Sequence, residues 1–205
     1  TLRNSSAASD VYKRQGVHMG HLLTQLSAIT LIDWFAMLTG IVGVYLSIKE
    51  KILAWPLFIL CYAAYVHISF RGGYYAFAGM NVIFALVAAY GWFGWSKSSK
   101  KSDREIRISH LAPAYRWIVA AFICMGTLGL GFLLELTGEA RLPYYDAFAA
   151  TCALCAQWML SRKFIENWIF WMLADTVYLS FFLIDRIWPS VVLFAAFIFL
   201  AIKGW

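Results

Sequence analysis

The sequence predicts an all-α membrane protein, with seven transmembrane helices in a 3+1+3 layout of two parallel triplets and one linker helix. Three observations carry this. The 205 residues are 62% hydrophobic and 14% charged, with mean hydropathy +0.68. A soluble domain has about 45–50% apolar and about 25% charged residues, and at this composition would have no surface left to meet water. Seven apolar runs are also each near the roughly 17–25 residues that cross a hydrocarbon core, and the chain matches itself at an offset of 113.

The runs cover 26–48, 52–70, 74–95, 114–136, 144–161, 165–184 and 187–204. They are continuously apolar, unlike the alternating strands of a membrane barrel. Residues 1–15, TLRNSSAASDVYKRQ, are polar, do not begin with Met and differ in character from the apolar remainder of the chain. They read as an adaptor-derived leader and are set aside from the fold. The rest divides into a first triplet (26–95), a basic loop (96–113), a linker helix (114–136) and a second triplet (144–205).

The linkers set the orientation. Lys49 and Lys51 follow the first run, Lys97, Lys100, Lys101, Arg104 and Arg107 the third, and Arg162 and Lys163 the fifth. The alternate linkers hold only Arg71, Arg141 and Arg186. Basic loops stay in the cytoplasm, which puts the N-terminus outside and the C-terminus inside. The net charge of +6 is a loop charge, so nucleic acid is not an expected partner and the lipid bilayer is.

At the 113 offset, eleven identities fall over 63 ungapped positions, where about four arise by chance. Trp55 pairs with Trp168, Tyr65 with Tyr178, Asp33 with Asp146, and Gly91-Trp92 with Gly204-Trp205. An odd number of spans separates the copies, so they share one orientation, as in SWEET-type transporters, whose substrates bind at the repeat interface.

Polar residues inside the runs locate that interface. An ionisable residue near a helix centre costs roughly 2.5–3.5 kcal/mol on insertion scales, and Asp175 lies mid-run. Asn167, Trp171, Asp175 and Tyr178 share one helix face. Gln157 ends the fifth run, eleven residues after Asp146. Trp55, Phe58, Tyr62 and Tyr65 form an aromatic stripe suited to stacking on a flat ligand. Plainer roles stand beside these. Trp55, Trp92, Trp95, Trp168, Trp188 and Trp205 lie near run ends, where the ordinary role is the interfacial belt. Asn81 can bridge helices, and His67 near an outer end reads as structural. Cys152 and Cys155 form a CxxC inside an apolar run, which reads as small buried side chains rather than redox or metal chemistry. With no phosphate-binding Gly loop and no HExxH, neither enzyme, cofactor nor metal is expected.

The residues from Tyr144 to Trp205 resemble the PnuC family of vitamin-precursor transporters. Asp146, Gln157, Arg162-Lys163 and then Glu166-Asn167-Trp168, Trp171 and Asp175 reproduce the family's ENWxxWxxxD string with its neighbours. KEKILAWP at 49–56 and YGWFGW at 90–95 extend the likeness to about residues 28–205. The resemblance implies a SWEET-like fold in a bacterial inner membrane and a homo-oligomer, a trimer. It implies facilitated diffusion of nicotinamide riboside, trapped by cytosolic phosphorylation. Asn167 and Trp171 are implied to contact the substrate, and by extension Gln157, Thr151 and Trp55. Asp175, Tyr62 and Tyr178 complete the expected site. Thiamine, riboflavin or a deoxynucleoside is the alternative cargo, and a non-transporting membrane scaffold the alternative role.

Overall fold

The computed structural model describes residues 24–100, 107–138 and 140–205, without the side chains of 98–100. The expected leader 1–15 and the centre of the basic loop, with Lys101 and Arg104, lie outside the described residues. Among the described residues seven long helices carry the fold. They are α1 (Leu31–Ile48), α2 (Ala54–Gly72), α3 (Tyr75–Lys100), α4 (Pro113–Thr137), α5 (Pro143–Ser161), α6 (Asn167–Ile184) and α7 (Trp188–Gly204).

Local chemistry sets the ends. The first apolar run starts at 26, but a short helical stretch at 24–28 stops before α1. A capping box restarts the chain. The Asp33 N–H donates to the Thr30 hydroxyl at 3.4 Å, and the Thr30 N–H donates to the Asp33 carboxylate at 2.9 Å. Proline opens α4, α5 and α7, where its missing N–H costs nothing. Gly73 (φ 81°) and Gly138 (φ 66°) close α2 and α4 in the left-handed conformation. α3 runs past the expected 95 to Lys100, so the basic loop is shorter than its sequence suggests.

Among the described residues four helices are long and apolar enough to cross a membrane: α1, α3 over Tyr75–Lys97, α4 and α6. α7 is apolar but 17 residues long. α2 and α5 have the length, 19 residues each, but are less apolar along it than those four.

Consecutive helices pack within each triplet, α1–α2–α3 and α5–α6–α7. Two further contacts, α3 on α5 and α1 on α7, join the triplets, and α4 packs on α5. The 113 offset maps α3–α5 onto α7–α1, so the contacts between halves repeat as the sequence does. α4 buries only Val119 and Gly131 and exposes Trp117, Met125 and Leu136. An apolar surface this broad belongs in lipid.

The repeat has a packing cause. A Cβ on Gly91 of α3 would fall inside the Trp55 ring, and one on Gly204 of α7 inside the Trp168 ring. Each triplet thus seats a Trp in a glycine notch on its third helix. The belt expectation is corrected for three tryptophans: Trp55, Trp168 and Trp95 are buried, and the Trp95 Nε1–H donates to the Ser161 carbonyl at 3.2 Å. Trp92, Trp188 and Trp205 remain exposed.

Candidate substrate-binding cavity

A cavity of about 380 Å³ lies between the triplets. Eighteen of its 24 lining residues are nine repeat-related pairs: Gly40/Ala153, Ser47/Leu160, Phe58/Trp171, Cys61/Ala174, Tyr62/Asp175, Tyr65/Tyr178, Phe77/Ser190, Asn81/Phe194 and Phe84/Phe197. A cavity built from such pairs straddles the axis relating the two halves. Its shape repeats but its chemistry does not. One side offers Tyr62 and Asn81; the other offers Asp175 and Phe194.

Aromatic faces dominate the wall. Tyr62 stacks on Phe84 with ring centroids 5.3 Å apart and planes 23° from parallel. Tyr178 meets Phe194 at 5.3 Å. Asp175 is buried and makes no ion pair among the described residues. Among the described residues no Lys, Arg or His lines the cavity.

The expected site residues separate into groups. Trp171, Asp175, Tyr178 and Tyr62 line the cavity together. Gln157 sits directly behind it, fully buried, and the Tyr62 hydroxyl donates to its Oε1 at 3.3 Å. Asn167 lies one turn below Trp171 and lines a separate small pocket of about 50 Å³. Trp55 is in the glycine notch. Thr151 faces α4, where it fills the space above Gly126 and meets the Thr127 hydroxyl at 3.3 Å. Three buried polar atoms make no hydrogen bond among the described residues: Trp55 Nε1, Gln157 Nε2 and Asn167 Oδ1. Asn81, Ser190, Phe84, Phe194 and Phe197 join the wall without having been singled out for it. The repeat was the signal for Phe84 and Phe197; Asn81 and Ser190 had none beyond polarity.

Both ends of the cavity lead to further spaces. The small pocket shares Ser47, Leu160 and Trp168 with it. At that pocket Lys163 Nζ meets Glu50 Oε2 at 2.6 Å. These two residues are themselves 113 apart, so they meet near the axis. Lys163 Nζ also lies 4.7 Å from the Trp95 ring centre. Beside them the chain at 109–111 docks on the α5–α6 turn. The Ser109 N–H donates to Lys163 O, and the Ile165 N–H donates to Ser109 O. Leu111 donates its N–H to Glu166 Oε2 at 3.0 Å, and His110 Nδ1 lies 3.2 Å from Oε1. Burial pushes the Glu166 carboxyl up, but the hydrogen bonds from its own N–H and that of Leu111, with His110 beside it, hold it below its usual value. At the other end a larger cavity of about 500 Å³ shares Phe77, Tyr178 and Phe182 with the central one. Among the described residues no cluster of His, Cys, Asp or Glu is placed to hold a metal.

An apolar-surfaced helical bundle with a chain of cavities between its two halves is built as a multi-pass membrane transporter. The family model described as nicotinamide mononucleotide transporter matches residues 30–205. The chain belongs to this family, the PnuC family of transporters, and is not an enzyme. It is 20% identical over 197 residues to the nicotinamide riboside transporter PnuC of Escherichia coli (strain K12), covering 84% of this chain and 82% of that one. It is 24% identical over 147 residues to the riboflavin/roseoflavin transporter RibM of Streptomyces davaonensis, covering 71% and 68%. The crystal structure of the vitamin B3 transporter PnuC has the same fold, with TM-score 0.69, 18% identity and coverage of 91% of this chain and 86% of that chain.

Proposed function

We propose that the chain carries nicotinamide riboside by facilitated diffusion, the substrate then being trapped by phosphorylation in the cytosol. One observation carries this reading. The central cavity combines aromatic faces with Asp175 and, among the described residues, holds no cationic side chain. Nicotinamide riboside is a flat cation with an amide and three ribose hydroxyls. A mononucleotide would add a phosphate of about −1.5 to −2 charge to a wall with no cation to receive it. Riboflavin is uncharged and makes no use of Asp175.

In this reading Trp171 and Tyr62 stack on the pyridinium, with about 0.5–2 kcal/mol of cation–π attraction. Asp175 balances its charge. Gln157 donates from Nε2 to the amide or a ribose hydroxyl once Tyr62 shifts. Tyr178 closes the outer side. Asn167 receives the substrate after it passes Trp168 and Leu160, while Thr151 and Trp55 hold α4 and α3 in place. All seven helices cross the inner membrane in the 3+1+3 arrangement, with the N-terminus outside and Lys163 and Glu50 at the cytosolic face. The protein assembles as a trimer. Light scattering in detergent tests the assembly, and cysteine labelling tests the orientation.

Uptake of labelled nicotinamide riboside into proteoliposomes tests the function. Competition by unlabelled riboside, with thiamine weaker and the mononucleotide and riboflavin ineffective, is the expected pattern. Uptake no faster than in empty vesicles would favour a scaffold, and preferential uptake of thiamine would reassign the cargo.

A further inference from the structure

We infer that the outer cavity is an entry site for flat organic cations, with Asp146 as its recognition charge. The inference rests on the cation-transport reading above and concerns how the substrate reaches the central cavity.

The outer cavity is the larger of the two, about 500 Å³ against about 380 Å³. Tyr74, Phe77, Tyr178 and Phe182 give it aromatic walls. Three charged side chains line it: Arg141, Asp146 and Asp185. Arg141 Nη1 meets Asp185 Oδ1 at 2.7 Å, so these two largely cancel. Asp146 makes no ion pair among the described residues. It is the uncompensated charge of the cavity, and it is negative.

The repeat sets Asp146 apart from its counterpart in the hydrogen bonds it makes at the helix start. Its counterpart, Asp33, completes the capping box that starts α1. α5 starts on Leu142 with no side-chain cap, and Pro143 removes one of the N–H groups a cap would satisfy. The Asp146 carboxylate therefore serves no cap and is left to the cavity. A carboxylate in an apolar-walled recess focuses the local field and concentrates cations there, and the surrounding ring faces attract the same ligands. Phe77, Tyr178 and Phe182 belong to both cavities. A cation held at Asp146 is thus one aromatic layer from Trp171 and Asp175.

The test compares wild type, Asp146→Asn and Asp146→Glu in proteoliposomes, following labelled nicotinamide riboside at low and high ionic strength. Asp146→Asn is expected to raise the half-saturating concentration about tenfold, leave the maximal rate unchanged and remove the salt dependence of uptake. Asp146→Glu should retain wild-type behaviour. An Asn variant with the half-saturation and salt response of wild type overturns the inference and leaves the transport reading intact. Should the Asn variant fail to fold, the wild type decides: uptake at low substrate that is indifferent to ionic strength overturns the entry site. A wild type that takes up no riboside overturns both readings.

Discussion

Trp171 faces the central cavity opposite Phe58, its repeat counterpart, and beside Asp175. The two triplets share a shape here, and the second adds the larger indole and a carboxyl group. Trp171→Ala is expected to weaken nicotinamide riboside binding about tenfold or more in a calorimetric titration, with Trp171→Phe between the two; the basis is about 0.5–2 kcal/mol of cation–π attraction plus lost contact area. Unchanged affinity in Trp171→Ala would place the substrate elsewhere. The glycine notches make a second prediction. Gly204→Ala puts a methyl into the Trp168 ring, and overpacking of this kind costs about 1–3 kcal/mol. Gly79→Ala, which meets open space, is the control. The Gly204 variant should lower the thermal midpoint in detergent, and the Gly79 variant should not.

Much at this scale is legible in the sequence. Asp175, Trp171, Tyr62 and Tyr178 stand out as polar or aromatic residues on shared helix faces, and the structure brings them to one cavity. Trp55 and Trp168 read as belt residues in sequence because position along a helix says how deep a side chain lies but not what it meets. The notch on a distant glycine supplies that, and the paired Gly-Trp identities of the repeat are its only trace. Thr151 enters the expected site by extension of the family resemblance, yet its side chain turns toward α4, a rotation that sequence spacing does not fix.

At the scale of elements, the 109–111 segment and the α5–α6 turn form a clamp that shares Glu166. The Glu166 carboxyl sits below its usual value, so the folded state binds its proton less tightly than the unfolded chain does. Its contribution to the clamp is therefore complete above the ordinary carboxylate range and is lost as pH falls through the folded value. Hydrogen exchange at the Leu111 N–H is expected to be slow at neutral pH and to speed up, relative to the intrinsic rate, only in acid below the ordinary carboxylate range. Glu166→Gln should show the faster exchange already at neutral pH. The Glu50–Lys163 pair joins the triplets where the axis meets the surface. Glu50 is 44% exposed, and exposed pairs couple by about 0–1 kcal/mol. A double-mutant cycle on Glu50→Gln and Lys163→Gln should return a coupling within that range. A coupling of several kcal/mol would mean that the pair is drier than its geometry indicates. Helix boundaries are readable in the sequence to within a few residues except at the start of α1, where the length of the apolar run hides the Thr30–Asp33 capping box, and at the end of α3, which continues through polar residues to Lys100.

For the molecule as a whole, we propose that one three-helix pattern, used twice, encloses the cavity on the axis between its copies, and that divergence of the paired positions gives that cavity its chemistry. The central claim is that this chemistry selects a flat cation and rejects its phosphorylated form. Calorimetric titration of the purified protein with nicotinamide riboside and with nicotinamide mononucleotide tests it most directly. The riboside is expected to bind, and the mononucleotide to bind at least about a hundredfold more weakly, because a buried phosphate without a partner costs several kcal/mol. Equal affinity for the two, or tighter binding of the mononucleotide, would contradict it.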